Sequence, residues 1–144
     1  LGYWRRPEEQ AEVFHGEWFT GGDLAAIDGE GYVWFHGRHD DLIKSFGYRL
    51  SPVEIEHTLA AAPGVLEVAV IGLTVEAGKT LVTACVVPQP DAPLRTDAIE
   101  AFAAQHLAEY KRPHQYVVHP EPLPRTRNGK LLRRALIERY APPA

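Results

Sequence analysis

The sequence predicts a small α+β domain, with a sheet of about three strands flanked by helices and preceded by a short β-hairpin. Two segments rich in β-branched residues, 65–75 and 80–87, are separated only by Glu76-Ala-Gly-Lys79, which predicts a pair of strands. After Ser51 and again after Thr96, apolar residues recur at helical spacing. Short links join strand, strand, helix, strand and helix, an order typical of a layered α+β fold.

The hairpin is expected near the N-terminus, after a stretch, residues 1–22, that has no strong periodicity. The apolar runs Leu24–Ile27 and Tyr32–Phe35 flank Asp28-Gly-Glu-Gly31, and glycines between β-forming residues are typical of a hairpin turn. The polar segment Gly37–Asp41 that follows is expected to be a connector.

The first helix is predicted from Ser51-Pro-Val-Glu54. The serine hydroxyl can accept a hydrogen bond from the third helical residue, and the glutamate can reach back in return. Proline in the first turn removes a donor that would have had no partner in the helix. Ile55, Leu59 and Ala62 then share one face, and Pro63-Gly64 is expected to end the helix.

Three further elements complete the prediction. An amphipathic helix extends from Thr96 to Tyr110 and is closed by Pro113. Gln115–Val118 is the candidate third strand, and Leu131–Tyr140 is the candidate final helix.

Composition narrows the function classes. The 144 residues carry a net charge of −4, so the basic surplus typical of nucleic-acid-binding proteins is absent. No apolar run approaches the roughly 20 residues that cross a bilayer. The single cysteine, Cys85, forms no intrachain disulfide, which predicts a cytoplasmic protein, and its apolar neighbours favour a buried hydrophobe over a nucleophile. The seven histidines lack zinc-like spacing, so no metal site is predicted.

Three polar, glycine-containing segments are candidates for chemistry: Trp18–Asp23, Gly37–Arg49 and Pro124–Lys130. In the third, Gly129 lets the backbone turn freely and Lys130 places an ammonium group at the tip, suited to a phosphate or a carboxylate. Taken singly, this segment is better described as a solvated basic turn, and the second is better described as a surface charge cluster.

Taken together, the segments resemble the adenylate-forming superfamily of acyl-CoA synthetases, luciferase-like enzymes and peptide-synthetase adenylation domains. The matching stretches, in order, are Leu1-Gly-Tyr-Trp4 with Pro7 and Phe14, then Trp18–Asp23, Gly37–Glu56 and Pro124–Lys130. One departure is Gly21-Gly22-Asp23, where the family usually has Thr-Gly-Asp. Thr20 stands one place earlier, so the hydroxyl contact of the family's threonine is not assured.

The resemblance implies a domain organisation and a reaction. Residues 1–39 would be the tail end of a large N-terminal adenylation domain, and residues 40–144 a C-terminal lid. Leu1 in place of an initiator Met, in a chain without Met, also suggests a piece of a longer protein. The whole protein would be an ATP-dependent acyl-CoA synthetase that converts a carboxylate, ATP and CoA into acyl-CoA, AMP and pyrophosphate. Its cofactors would be ATP/AMP, CoA and Mg²⁺, bound mainly by the N-terminal domain.

The family's motifs also imply residue roles. Asp23 would hold the ribose hydroxyls of ATP, Arg38 would contact the ribose and phosphate region, and Asp40 would be the hinge of the lid. Lys130 would bridge the substrate carboxylate and the α-phosphate during adenylation. The CoA side would consist of three consecutive residues: Gly47, Tyr48 and Arg49.

Other readings remain open. Leu50-Ser-Pro52 resembles CoA ligases more than peptide-synthetase domains that load a carrier protein, but the latter stay an alternative. So do a free-standing CoA- or nucleotide-binding module and an interaction domain. The expected partners are the N-terminal domain in cis, the small-molecule carboxylate and CoA. A lysine acetyltransferase is a further expected partner, because Pro124–Lys130 resembles the Pro-x-x-x-x-Gly-Lys pattern at which such synthetases are inactivated by lysine acetylation. Acetylation would remove the charge of Lys130.

Overall fold

The computed structural model describes residues 3–76, 78–91 and 95–142, and the chain forms two compact units, Leu1–Asp41 and Leu42–Ala144. Leu1 and Gly2 of the first predicted motif lie outside the described residues. Ala77, in the predicted link between two strands, and residues 92–93 of the loop that follows also lie outside them.

The first unit consists of a short helix and two small antiparallel strand pairs. Helix α1 (Pro7–Val13) is followed by β1 (Phe14–His15), β2 (Trp18–Phe19), β3 (Asp23–Ile27) and β4 (Val33–Arg38). Strand β1 pairs with β2 and β3 with β4, and a register irregularity lies between Leu24 and Ala25. A single 3₁₀ turn, His39–Asp41, ends the unit. The predicted hairpin is confirmed as β3 and β4. The prediction that Gly37–Asp41 is a connector is wrong for Gly37 and Arg38, which extend β4 because they pair with Leu24 and Asp23. Helix α1 and strands β1 and β2 were not predicted.

Asp28 organises the hairpin turn. Its Oδ1 accepts from the backbone N–H groups of Glu30 and Tyr32, both at 3.0 Å, and its Oδ2 accepts from Trp34 Nε1 at 2.7 Å. The hydrogen bond from Trp34 is the main cause that lowers the pKa of Asp28. The carboxylate therefore adds to the backbone hydrogen bonds of this turn, in which Gly31 N donates to Asp28 O and Asp28 N donates to Tyr32 O, both at 3.1 Å.

The second unit is built on a three-stranded sheet in the order β7-β8-β9. A small hairpin, β5 (Ile43–Ser45) and β6 (Tyr48–Leu50), precedes α2 (Pro52–Leu59). Strands β7 (Val65–Glu76) and β8 (Lys79–Pro88) are antiparallel, and β9 (Gln115–Val118) lies parallel to β8. Helix α3 (Thr96–His106) lies in the crossover that a parallel pair requires, and α4 (Arg133–Tyr140) comes last. The predicted α+β class and the three-stranded sheet are confirmed.

The sheet is buried on both faces, which gives the second unit two apolar clusters. Because successive side chains of a strand point to opposite faces, Val70, Val82 and Ala84 pack with α2 and α3, whereas Ala69, Ile71 and Cys85 pack with α4. Cys85 is fully buried, and burial raises the pKa of its thiol to about 12. The prediction that Cys85 is a small buried hydrophobe is confirmed.

Helix α2 begins as predicted and ends earlier. Ser51 Oγ accepts from Glu54 N at 3.5 Å, which is a serine N-cap, and the Glu54 carboxylate accepts from Lys111 Nζ. The helix ends at Leu59 instead of extending to Pro63. Ala60 N still donates to Glu56 O, as in an α-helix, whereas Ala61 and Ala62 make 3₁₀-type bonds to the carbonyls three residues earlier.

Helix α3 ends at His106, and the prediction that it extends to Tyr110 is wrong. Leu107 adopts extended backbone angles and is buried. The Arg112 guanidinium then donates from Nε to Leu107 O at 3.1 Å and from Nη2 to Ala104 O at 2.8 Å. These bonds satisfy carbonyls that a helix end leaves without partners. The final helix also begins two residues later than predicted, because Leu131 forms an isolated antiparallel bridge with Arg125.

The buried His119 joins the sheet to α4 and predicts a pH dependence of stability. His119 Nδ1 lies 2.6 Å from Tyr140 Oη, and burial, assisted by the charge of Arg139, lowers the pKa of His119. Since the folded pKa is lowered, the unfolded chain takes up the proton first. The contribution of neutral His119 is therefore complete above the ordinary pKa of 6.5 and is lost as pH falls below it.

We predict that the melting temperature falls more between about pH 7.5 and about pH 5 in the wild type than in His119→Gln. Glutamine keeps a polar partner for Tyr140 but does not titrate. His57→Gln is the matched control, since His57 is exposed on α2. Thermal unfolding of the full-length protein at each pH measures the difference, and equal losses in the wild type and His119→Gln would contradict the assignment.

Candidate functional site

Lys130 lies on a tight, hydrogen-bonded turn in the second unit. Gly129 N donates to Thr126 O at 2.9 Å, and Thr126 N donates to Lys130 O at 2.7 Å. Thr126 Oγ1 also accepts from Lys130 N at 3.0 Å. The backbone of Lys130 is thus held at both its N–H and its C=O, while its side chain is exposed. Among the residues that the structure describes, no carboxylate forms an ion pair with the Lys130 ammonium group.

The glycine of this turn is required by its backbone angle. Gly129 has φ +82°, and a Cβ placed there would have no atom within 4 Å. The left-handed angle, which other residues adopt only at a cost, therefore accounts for the glycine. The sequence analysis predicted that Gly129 allows the backbone to turn, and its left-handed φ confirms this prediction.

Two arginines connect the turn to neighbouring elements. Arg125 Nη1 donates to Gly129 O at 3.1 Å, and its Nη2 donates to Glu67 Oε2 at 2.7 Å. Arg133 Nη2 donates to both carboxylate oxygens of Glu56, at 2.8 and 2.7 Å. Neither the two arginines nor the two glutamates were assigned a role from the sequence. The partners are 58 and 77 positions apart, so no local pattern could have paired them.

Gly47, Tyr48 and Arg49 lie on the β5–β6 hairpin of the second unit. Its two-residue turn places Phe46 at φ +46° and Gly47 at φ +85°, the paired positive angles of a type I′ hairpin turn. The positive φ of Gly47 accounts for the glycine by itself, because a Cβ at this position would have no atom within 4 Å. Arg49 lies opposite Lys44 across the hairpin, so two cations share its exposed strands.

An aromatic surface accompanies this hairpin. The ring of Tyr48 stacks on Tyr110 with centroids 4.8 Å apart, and the ring of Phe46 lies 5.1 Å from that of His114. Phe46, Tyr48 and Tyr110 are each about half exposed or more. Tyr110 was assigned to the apolar face of α3 from sequence, which is wrong. Pro113, the end signal taken from the sequence, restricts the backbone of Arg112 and therefore could not have placed Tyr110 outside the helix.

Asp23, Arg38 and Asp40 meet in the first unit. Arg38 Nη1 donates to Asp23 Oδ1 at 3.0 Å, and its Nη2 donates to Asp40 Oδ2 at 3.3 Å. Asp23 and Arg38 face each other across β3 and β4. Gly22, at φ +74°, lets the chain pass close to this pair, since a Cβ there would lie 3.1 Å from Arg38 Nη2. One guanidinium thus orients two partly exposed carboxylates.

These three residues line a concave region of about 580 Å³ within the first unit, together with Glu12, Val13, His15, Thr20, Gly21, Gly22 and His39. The Thr20 hydroxyl donates to Val13 O at 3.1 Å, so it is bonded to the backbone at the end of α1. A region of this size, with acceptors and one cation at its wall, can hold a polar ligand through hydroxyl or phosphate groups.

The predicted site residues therefore form three groups. Asp23, Arg38 and Asp40 belong to the first unit, whereas Gly47–Arg49 and Lys130 belong to the second. Within the described ranges, no three His, Cys, Asp or Glu side chains lie close enough to hold a metal ion. None of the described helices combines the length and the apolar character that a membrane span requires.

Comparison with known proteins identifies the family. The model of the AMP-binding enzyme C-terminal domain matches residues 54–130, which is more than half of the sequence. The chain belongs to the AMP-binding enzyme C-terminal domain family. The matched stretch begins inside α2 and ends at Lys130.

Several similar proteins are acid–CoA ligases. The chain is 39% identical over 139 residues to the long-chain-fatty-acid–CoA ligase FadD13 of Mycobacterium tuberculosis H37Rv, covering 96% of this chain and 27% of that protein. It is 45% identical over 120 residues to the 4-chlorobenzoate–CoA ligase of Pseudomonas sp. strain CBS-3, covering 83% and 22%. The chain thus spans about a quarter of the length of these relatives.

Solved structures in the family have the same fold. The crystal structure of ATP-bound MatB from Rhodopseudomonas palustris superposes with a TM-score of 0.87 at 37% identity, covering 96% of this chain and 28% of that chain. The anthranilate CoA ligase AuaEII in complex with anthranoyl-AMP superposes with a TM-score of 0.82 at 34% identity, covering 98% and 28%.

The backbone angle of Gly129 generates a prediction about the AMP-binding C-terminal domain. Gly129→Ala should destabilise the folded protein by about 1 kcal/mol, because the Cβ of alanine makes a left-handed φ unfavourable. Gly129→Asn, at the same site, should cost less, since asparagine tolerates that angle. Urea unfolding of the full-length protein measures both, and alanine as stable as asparagine would show that the turn does not need its positive φ.

Proposed function

We propose that this chain is the C-terminal lid of an ATP-dependent acyl-CoA synthetase, supplying Lys130 to adenylation and the Gly47–Arg49 hairpin to thioester formation. The proposal is supported mainly by the environment of Lys130. Its ammonium group is exposed, has no carboxylate partner among the described residues, and stands on a turn whose backbone is fixed by three hydrogen bonds. Such a cation is available to an anion supplied by another part of the protein.

The chemistry of adenylation needs a cation at this point. A carboxylate attacks the α-phosphorus of ATP, a P–O bond forms, and pyrophosphate leaves with the electron pair of the broken bond. Two anions approach each other and charge gathers on the α-phosphate oxygens. An ammonium group held between them stabilises this arrangement, and the loss of one such contact commonly costs 10²–10³ in rate. We assign this role to Lys130.

The first unit supports the assignment of residues 1–39 to an adenylation domain. Its hairpin exposes a large apolar area: Ile27, Tyr32, Val33, Trp34 and Phe35 are each more than half exposed. An exposed apolar patch of this kind favours cover by further protein. The Asp23 carboxylate, oriented by Arg38, suits the acceptance of hydrogen bonds from ribose hydroxyls.

The hinge is proposed at Asp40. The two compact units divide after Asp41, next to this residue, and residues 40–144 would turn as the lid. A few backbone torsions at such a junction can absorb a domain rotation. The Arg38–Asp40 contact, at 3.3 Å with 71% of the Asp40 side chain exposed, is weak enough to be exchanged during the motion.

The CoA side is proposed at the β5–β6 hairpin. Exposed aromatic rings at Phe46 and Tyr48 offer faces for a purine, and the cations of Lys44 and Arg49 suit phosphate groups. After a rotation, the CoA thiol would attack the acyl carbon, form the thioester and release AMP. The named relatives are CoA ligases, which favours CoA over a carrier protein as the acceptor.

ATP and its Mg²⁺ are proposed to be held mainly outside this chain. Magnesium that is bound with a nucleotide usually takes one or two protein carboxylates, and phosphate oxygens and waters supply its other ligands. No cluster of three His, Cys, Asp or Glu side chains among the described residues would hold the ion by itself. Among the solved relatives, MatB is bound to ATP and AuaEII is bound to anthranoyl-AMP, which is an acyl-adenylate. In this chain, Asp23, Arg38 and Lys130 are the residues proposed to touch the nucleotide.

Half-reaction assays on the full-length protein test the role of Lys130. Lys130→Ala should lower the rate of acyl-AMP formation by about 10²–10³ and leave thioester formation from supplied acyl-AMP nearly unchanged. Pyrophosphate release and acyl-CoA release measure the two steps. An acetyltransferase that modifies Lys130 should produce the same split, because it removes the charge. Equal loss of both steps, or adenylation that survives acetylation, would contradict the assignment.

A backbone variant tests the hinge. Asp40→Pro restricts φ and should impair thioester formation far more than adenylation, by about tenfold or more. Asp40→Ala removes only the contact with Arg38 and is the matched control. The same two assays apply, and an Asp40→Pro protein with normal thioester formation would place the hinge elsewhere.

A further inference from the structure

Lys130 is flanked by two arginines, and each is paired with a glutamate on a different element. Arg125 reaches Glu67 on β7, and Arg133 reaches Glu56 on α2. One arginine precedes the lysine by five positions and the other follows it by three. The turn that carries the ammonium group is therefore attached at both ends to the layer formed by α2 and β7.

Arg125 makes the more direct attachment. One terminal nitrogen donates to the carbonyl of Gly129, the residue before Lys130, while the other donates to Glu67. A guanidinium group is planar, so the directions of its N–H groups are fixed relative to each other. The position of the Gly129 carbonyl is thereby set relative to β7. A lysine at 125 could keep the charge, but its single ammonium could not reproduce this two-point geometry.

Arg133 anchors the other end. It donates to both oxygens of Glu56, and the Glu56 Oε1 also accepts from the backbone N–H of Val70 at 2.8 Å. The side chains of Arg133 and Glu56 are only 19% and 16% exposed. Hydrogen bonds of this kind are stronger away from water and hold their partners more rigidly than surface pairs do.

The other ion pairs of α4 are more exposed than the Arg133–Glu56 pair, and they are not connected to the turn of Lys130. Arg134 pairs with Glu138, with 90% and 65% of the side chains exposed, and Arg139 pairs with Glu121. Neither pair contacts the backbone of the turn between Thr126 and Lys130. These pairs provide controls of the same chemistry without the connection to Lys130.

We propose that Arg125 and Arg133 are positioning residues that place the Lys130 ammonium group for adenylation. The inference rests on the role of Lys130 proposed above. In this proposal neither arginine contacts a substrate. Each acts through the turn, by fixing the backbone position from which the Lys130 side chain extends. A displacement of about 1 Å in a catalytic group can cost as much as 10² in rate, so geometry of this kind has a measurable effect.

The first test uses Arg125→Lys in the full-length protein, with Arg134→Lys as the matched control. Arg125 is 47% exposed, so the change preserves charge without opening the core. The kcat for acyl-AMP formation should fall about tenfold, while KM for ATP and for the carboxylate stays within about twofold. Thioester formation from supplied acyl-AMP should be unchanged, and Arg134→Lys should resemble the wild type. Glu67→Gln, which keeps an acceptor for Arg125, should show a smaller loss of the same kind.

The decisive test is a double-mutant cycle with Lys130→Ala. If Arg125 acts only through Lys130, Arg125→Lys should not slow the residual adenylation of Lys130→Ala any further. The same result is expected for Arg133→Lys, with melting temperatures confirming that each variant is folded. An equal slowing in the presence and absence of Lys130, or a loss in both half-reactions, would overturn the positioning role.

The outcomes separate this inference from the proposed function. Normal adenylation by Lys130→Ala would overturn the catalytic role of the lysine, and with it the present inference. Impaired adenylation by Lys130→Ala, with wild-type rates for Arg125→Lys and Arg133→Lys, would overturn the positioning role alone.

Discussion

The Glu56 carboxylate is the interaction on which the second unit depends. It accepts from Val70 N on β7 and from Arg133 at the start of α4, and it is itself part of α2. A largely buried carboxylate is costly to desolvate, and only a complete set of partners offsets that cost. If one partner of such a pair is removed, the loss is typically about 3–5 kcal/mol. Three elements that are far apart in sequence are thus held by one charged group, and the turn of Lys130 lies next to it in the chain.

The sheet gives this group a rigid base. Strands β7 and β8 bury alternate residues on both faces, so the backbone amide of Val70 has a fixed place between two apolar clusters. The predicted site residues of this unit lie on exposed segments away from the sheet: Lys130 on its turn and Gly47, Tyr48 and Arg49 on the β5–β6 hairpin. The first unit is organised differently: it exposes its apolar side chains, and its order comes from Asp28 in the hairpin turn and from Arg38 between two carboxylates.

Local signals in the sequence predicted what local interactions determine. The β-branched runs of β7 and β8, the serine cap of α2 and the glycine of the Lys130 turn were all recognised, because neighbours in sequence decide them. The end of α3 was missed because Arg112 caps it from beyond the helix. The β5–β6 hairpin was missed because its turn places Phe46, an unusual residue for that role, at a positive φ. The pairs Arg125–Glu67 and Arg133–Glu56 could not be predicted from the sequence, because only the tertiary fold brings these partners together.

Hydrogen exchange in full-length Glu56→Gln, compared with the wild type, tests most directly whether Glu56 fixes the turn of Lys130. Glutamine keeps an acceptor for Val70 but loses the charge that holds Arg133, so the amides of Thr126, Gly129 and Lys130 should exchange faster. Glu138→Gln, which disturbs an exposed pair on the same helix, should leave these amides unchanged. If the turn exchanges at the wild-type rate in Glu56→Gln, the carboxylate does not hold it, and the account is wrong.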